Sequence, residues 1–233
     1  DWSVIRVLGV PCGTAAEAAA IISDEIPSWS ARLAGIARVA EFDPHIALAM
    51  LRFAGGIPCM MPLMRGVGNV PVLDGLGVPL PNSSLWRLID QRIFDVALTI
   101  IGATMQGQDP RVDPVCSQMA LPVSNGGLGI SRCADFAEIA HAAAIHAALC
   151  VLDTQPNVQR RFLHDFAAEA ISVISAAPPA VAATISILAD FLRPKASGDD
   201  VVIVRGTKGA PRLQKLLSRP VHEHNEKACM RSA

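Results

Sequence analysis

Three groups of side chains stand at spacings that could support chemistry. Gly198-Asp199-Asp200 sets two adjacent carboxylates in a tight turn. Such a pair between hydrophobic strands can hold two metal ions for phosphoryl transfer. Its upstream flank here is Arg193-Pro194-Lys195-Ala196, a loop, so the pair reads as a solvated acidic turn. Cys133, His141 and His146 suggest a zinc site. His141 and His146 are five residues apart, about 140° around an ideal helix, and project in different directions. His222, His224 and Cys229 lie in a polar tail. No metal site and no cofactor is therefore expected. Gly126-Gly127-Leu128-Gly129 departs from G-x-G-x-x-G, Gly206-Thr207-Lys208-Gly209 lacks the spacing of a phosphate-binding P-loop, and no G-x-S-x-G occurs. Arg32, Arg38, Arg52, Arg65, Arg87 and Arg92 are spread over the first half of the chain, where they could meet phosphates or simply line solvated helix faces.

The elements that position these residues are mostly helical in pattern. Residues 3–10 are β-branched and apolar and stop at Pro11 and Gly13, as a short strand does. Thr14-x-x-Glu17 is a capping box opening an Ala-rich helix, which Pro27 should break or kink before a second stretch over about 28–40. Asp43-Pro44 starts another helix, with Ile46, Met50 and Phe53 sharing a face and Gly55-Gly56 as its stop. Residues 57–65 are apolar and Met-rich, punctuated by Pro58 and Pro62, and 66–82 read as loop. Asn82 or Ser83 can cap a helix over about 84–102, whose stripe is Trp86, Ile89, Ile93, Val96 and Ile100. Asp113-Pro114 starts a short helix, 121–130 is turn-rich, and an Ala-rich helix follows Asp135-x-x-Glu138 to about 151. Further helices are expected from Asn157 to about 192, with a short strand at 201–205 and a short basic helix at 211–219.

Composition narrows the function classes. Hydrophobic residues make up 51% of the 233 residues and charged ones 18%, below the roughly 25% usual in soluble domains. The mean hydropathy is +0.37. Net charge is −1, so no global basic field draws in nucleic acid. There is no Tyr, which removes a tyrosine nucleophile or general acid. Six scattered cysteines without a C-x-x-C pair read as free thiols of a reducing, intracellular compartment. No signal peptide is visible. The apolar stretches 139–152 and 176–192 are shorter than the roughly 20 residues of a spanning helix, and no membrane contact is expected. The opening at Asp1, already structured in pattern, reads as the start of a piece of a longer polypeptide.

Three segments in order carry a resemblance. Val7-Leu8-Gly9-Val10-Pro11 precedes Asp43-Pro44-His45-Ile46-Ala47-Leu48-Ala49-Met50-Leu51-Arg52. Some 70 residues later comes Leu121-Pro122-Val123-Ser124-Asn125-Gly126-Gly127-Leu128-Gly129-Ile130, ahead of an Ala-rich helix. This order resembles the region after the palm in reverse-transcriptase-like proteins of non-LTR retrotransposon type. Pro62-Leu63-Met64-Arg65 is similar to the L-L-R-like run of their thumb. Leu213-Gln214-Lys215-Leu216-Leu217-Ser218-Arg219 is similar to a weaker run further on. Pro27 and Ser124-Asn125 depart from the pattern, and the family's Y-x-D-D is impossible in a chain without Tyr.

The resemblance implies a mainly α chain: a short N-terminal β-strand or hairpin, a helical thumb-like bundle and further Ala-rich helices. Residues 1–13 would end the palm, 14–120 form the thumb-like region, 121–194 the post-thumb helices and 195–233 a polar tail. Leu8, Gly9 and Val10 would be primer-grip-like, Arg52 and Arg65 would contact nucleic acid, and Leu121, Pro122, Gly126, Gly127 and Gly129 would form a structural turn. The implied role is non-enzymatic: a catalytically incomplete part of an RNA-directed DNA polymerase that helps to hold RNA/DNA primer–template, nuclear if retroelement-derived. A missing palm or a second copy would be its protein partner. The alternative expectation is a stand-alone helical protein-interaction module without enzymatic activity.

Overall fold

The computed structural model describes residues 5–7, 10–12, 15–74, 76–78, 80, 83–103, 113–152, 192–194, 201–203 and four positions near the C-terminus. The protein is mainly α-helical. It divides into two compact units, residues 1–137 with 225–233, and residues 138–224. In the first unit Ile5–Val7 faces Val10–Cys12 in antiparallel register. The connecting Leu8 and Gly9 lie outside the described residues. In the second unit Leu192–Pro194 pairs antiparallel with Val201–Ile203. That places a strand within the expected 201–205, but puts Arg193 and Pro194, expected as loop, in a strand as well. The Gly198-Asp199-Asp200 segment, the helices expected between 157 and 191, the basic helix expected at 211–219, and His222, His224 and Cys229 lie outside the described residues.

Helix α1 runs unbroken from Ala15 to Val39. The break expected at Pro27 does not occur. A proline inside a helix removes one N–H and crowds the carbonyl four residues earlier. Here Ala18, Ala19, Ile22, Trp29, Leu33 and Ile36 are buried on both sides of Pro27, and the packing of both halves keeps the helix continuous through it. Pro27 itself is exposed, so no neighbouring element is pressed by its ring.

Asp43 caps α2 (Pro44–Met50), its carboxylate accepting from the His45 and Ile46 N–H groups at 2.9 and 3.0 Å. A π-turn over Leu51–Gly55 extends α2. Leu51 is fully buried there, while a Cβ on Gly55 would come within 2.9 Å of Leu33. The helix crosses α1 closely because that position carries no side chain. Ile46, Met50 and Phe53 do share a surface, but it is not core: they are 53%, 39% and 68% exposed. Gly56 is extended, and α3 (Ile57–Val67) starts after it with Pro58 in the first turn, where a missing N–H costs nothing. The apolar run Pro44–Val67 is 24 residues long and reaches a mean hydropathy of 1.6 in its most apolar 18-residue window. Gly56 divides it into two helical pieces, each short of the roughly 20 residues needed to span a bilayer.

After α3 the chain folds back through hydrogen bonds to the next helix. The Trp86 indole donates to the Gly68 carbonyl at 2.6 Å, and the Leu85 N–H to the Val70 carbonyl at 2.8 Å. Helix α4 (Leu85–Ile101) has Ser84 at its N-cap position, one residue beyond the later of the two caps expected from the sequence. Ser84 makes no cap bond and donates instead to Asn69 Oδ1. Its core face is Leu85, Trp86, Ile89, Ile93, Phe94, Ala97, Leu98 and Ile100. It packs on α1, where Arg92 donates to Ser30 at 2.8 Å. Gly102, at φ +67°, ends it. Asp113 caps α5 (Pro114–Ala120) through the Cys116 N–H. Helix α6 runs Cys133–Leu152.

Candidate functional site: an arginine groove beside a glycine turn

The segment 121–130 is a tight turn fastened to the end of α5. Val123–Asn125 forms one 3-10 turn, and Gly126 leaves it at φ +78°. The chain then doubles back. Leu128 and Ile130 donate to the Met119 carbonyl at 3.2 and 3.1 Å, and Gly129 to the Leu121 carbonyl at 2.9 Å. A Cβ on Gly127 would overlap the Leu121 carbonyl, so only glycine passes there. Gly129 has φ +69°, and a Cβ on it would sit 3.2 Å from Arg52 Nη2.

Arg52, on the π-turn after α2, therefore lies flat on the glycine turn, 77 positions further along the chain. Its guanidinium is also 5.4 Å from the centroid of the Phe53 ring, within reach of a cation–π attraction. The two segments enclose a groove of about 210 Å³, lined by Leu51–Phe53, Gly56–Pro58 and Gly129–Ser131. Arg52 is half-buried, and among the described residues no carboxylate lines the groove. A planar cation over backbone with one open side can take a phosphate oxygen. The groove's lining holds no nucleophile–base pair for bond-making chemistry.

Residues singled out in the sequence for separate roles, Arg52 as a nucleic-acid contact and Leu121, Pro122, Gly126, Gly127 and Gly129 as a structural turn, all meet here. Arg65 does not line it; it is exposed in the last turn of α3. Leu8 and Gly9 lie outside the described residues, and Val10 is described only as strand. His141 is half-buried on α6, and among the described residues no three His, Cys, Asp or Glu side chains stand together as metal ligands.

A buried polar network adjoins the turn and escaped the sequence reading. Asp90, in the core face of α4, accepts from the Cys133 N–H at 2.6 Å and the Ala134 N–H at 2.9 Å. It is a cap for α6 supplied by a distant helix. Burial pushes its carboxyl up to about 7 against the pull of those two N–H groups, and the nearby Asp135 adds to the rise. Arg132, 5% exposed, donates to Ser117 at 3.0 Å, lies 3.8 Å from Asp135 and covers the Phe94 ring. Cys116 is pushed up to about 12, first by burial and then by the Asp113 charge. Cys133 is raised by burial and by Asp90. Both thiols are protonated packing groups. The available signal was an acid at a core position, Asp90 between Ile89 and Ile93. No family model, no curated protein and no solved structure matches this chain.

Proposed function

We propose that this chain is the catalytically incomplete, post-palm part of a reverse-transcriptase-like protein and helps to hold primer–template in its parent polymerase. The observation that carries the proposal is the contact of Arg52 with Gly129. The Asp43–Arg52 and Leu121–Ile130 segments of the resemblance share one groove, and among the described residues no acid lines it beside that cation. In this role Arg52 binds a backbone phosphate, which positions a duplex without reading its sequence. The glycine turn supports the guanidinium from beneath. Leu8, Gly9 and Val10 would press on the primer end, and Arg65 would supply a second, outlying phosphate contact.

The test is fluorescence anisotropy of a labelled RNA–DNA hybrid titrated with the full chain over a range of salt. Binding is expected at low salt and should weaken linearly in log–log form. Arg52→Gln should flatten that slope by about 0.9, the value for one lost phosphate contact. A folded sample that does not bind at about 20 mM salt, where phosphate contacts are strongest, overturns the proposal.

One observation favours the second reading, a helical protein-interaction module. Phe42, Ile46, Met50 and Phe53 make an exposed apolar strip along α2 and its flanks, more than a scatter of single surface residues. Concentration-dependent association with no hybrid binding would support it.

A further inference from the structure

A second cavity, of about 240 Å³, lies between α1 and α3 and is floored by Ile89 of α4. It shares no lining residue with the Arg52 groove. Glu25, Trp29 and Arg32 of α1 face Cys59 and Leu63 of α3 across it. Trp29 and Ile89 are buried in its wall, while Arg32 stands exposed at its rim. An apolar cavity of about 150 Å³ admits benzene, so this one has room for a single ring and a small polar group.

The donor inventory is unbalanced. Trp29 Nε1 is buried and among the described residues has no hydrogen-bond partner; its side chain belongs to a residue only 5% exposed. Its N–H dipole reaches the Cys59 sulfur, a weak acceptor outside hydrogen-bond geometry, and burial still holds that thiol above its ordinary range. The Cys59 proton is donated away, to the Gly56 carbonyl at 3.1 Å. Cys59 is therefore neither a nucleophile nor a good partner for Trp29. Buried indole N–H groups normally find an acceptor. Arg32 lies one helical turn from Trp29 on the same face.

We infer that this cavity binds a small aromatic or branched aliphatic monocarboxylate. One carboxylate oxygen accepts from Trp29 Nε1–H, the charge sits toward Arg32, and the apolar body packs on Leu63 and Ile89. Glu25 also lines the cavity, so the ligand's charge is seated at the Arg32 end, about two helical turns from it. The inference is independent of any nucleic-acid role.

Sodium benzoate is the probe, titrated into the full-length, ¹⁵N-labelled chain to about 20 mM, a range suited to a millimolar Kd. The indole N–H signal of Trp29, assigned by its loss in Trp29→Phe, should move downfield and saturate. That of Trp86, already bonded to Gly68, should stay. Toluene should produce no downfield shift. Arg32→Gln should weaken binding about tenfold, the loss of one charge-assisted contact. Leu63→Trp, which fills the cavity, should abolish the response while the rest of the spectrum stays native. An unmoved Trp29 signal in a well-dispersed spectrum overturns the inference. So does a linear, non-saturating shift, an equal effect of toluene, or a response that survives Leu63→Trp.

Discussion

Three glycines of one short segment are constrained in three different ways. Gly126 needs a left-handed backbone at φ +78° but has open space around it. Gly127 needs no unusual φ, yet a Cβ there would collide with the Leu121 carbonyl. Gly129 needs both the positive φ and room for Arg52. Gly126→Ala should then cost only the left-handed penalty, about 1–2 kcal/mol. Gly127→Ala has backbone as its obstacle and should cost more than about 3 kcal/mol. Urea unfolding of the two variants checks the order, and equal losses would sink the steric account. The sequence made the turn legible through its glycines. It could not distinguish them, because the obstacle at Gly127 is a carbonyl six residues earlier and the one at Gly129 is a side chain from another helix.

At the scale of elements, helix starts differ in how far away their caps are. Asp43-Pro44 and Asp113-Pro114 were legible because the capping carboxylate and the helix are adjacent in sequence. The start of α6 was not. Asp135-x-x-Glu138 pointed to it, but the cap that closes its first N–H groups is Asp90, more than 40 positions earlier. With its folded value near 7 and an unfolded value near 3.9, Asp90 binds an extra proton in the fold between those limits. Its contribution to stability is therefore complete at low pH and is lost as pH rises toward about 7, with no further change above. Thermal melts across roughly pH 5 to 8 should show Tm falling with pH, and Asp90→Asn, which keeps an acceptor, should remove that part of the slope. Asp90→Ala leaves the buried Cys133 N–H and the part-buried Ala134 N–H unpaired and should cost about 2–4 kcal/mol. Identical pH profiles for the native chain and Asp90→Asn would contradict the assignment.

Over the whole molecule, the apolar surplus is not all consumed in the core. Phe42 is 88% and Phe53 68% exposed, and with Ile46 and Met50 they leave one strip of the first unit unpartnered. A second copy can bury this strip, so the chain should associate. Sedimentation velocity should show larger species growing in above about 10 µM, the concentration of a moderate interface. Ile46→Glu with Phe53→Glu should return it to monomer without loss of helicity, since neither side chain is in the core. A native chain that stays monomeric at about 100 µM would rule the strip out as a self-contact.

The sequence by itself determined that the chain is mainly helical, where several helices begin, and that a glycine-rich turn follows α5. Those features depend on contacts a few residues long, and periodicity and capping report them. Only the tertiary structure decided that Pro27 leaves α1 whole and that the Ile46 face is surface. It alone set Arg52 on Gly129, gave α6 a cap from α4 and left the Trp29 indole facing a cavity. Each of these depends on which groups meet across long separations, where burial and close approach, not local propensity, set the free energy.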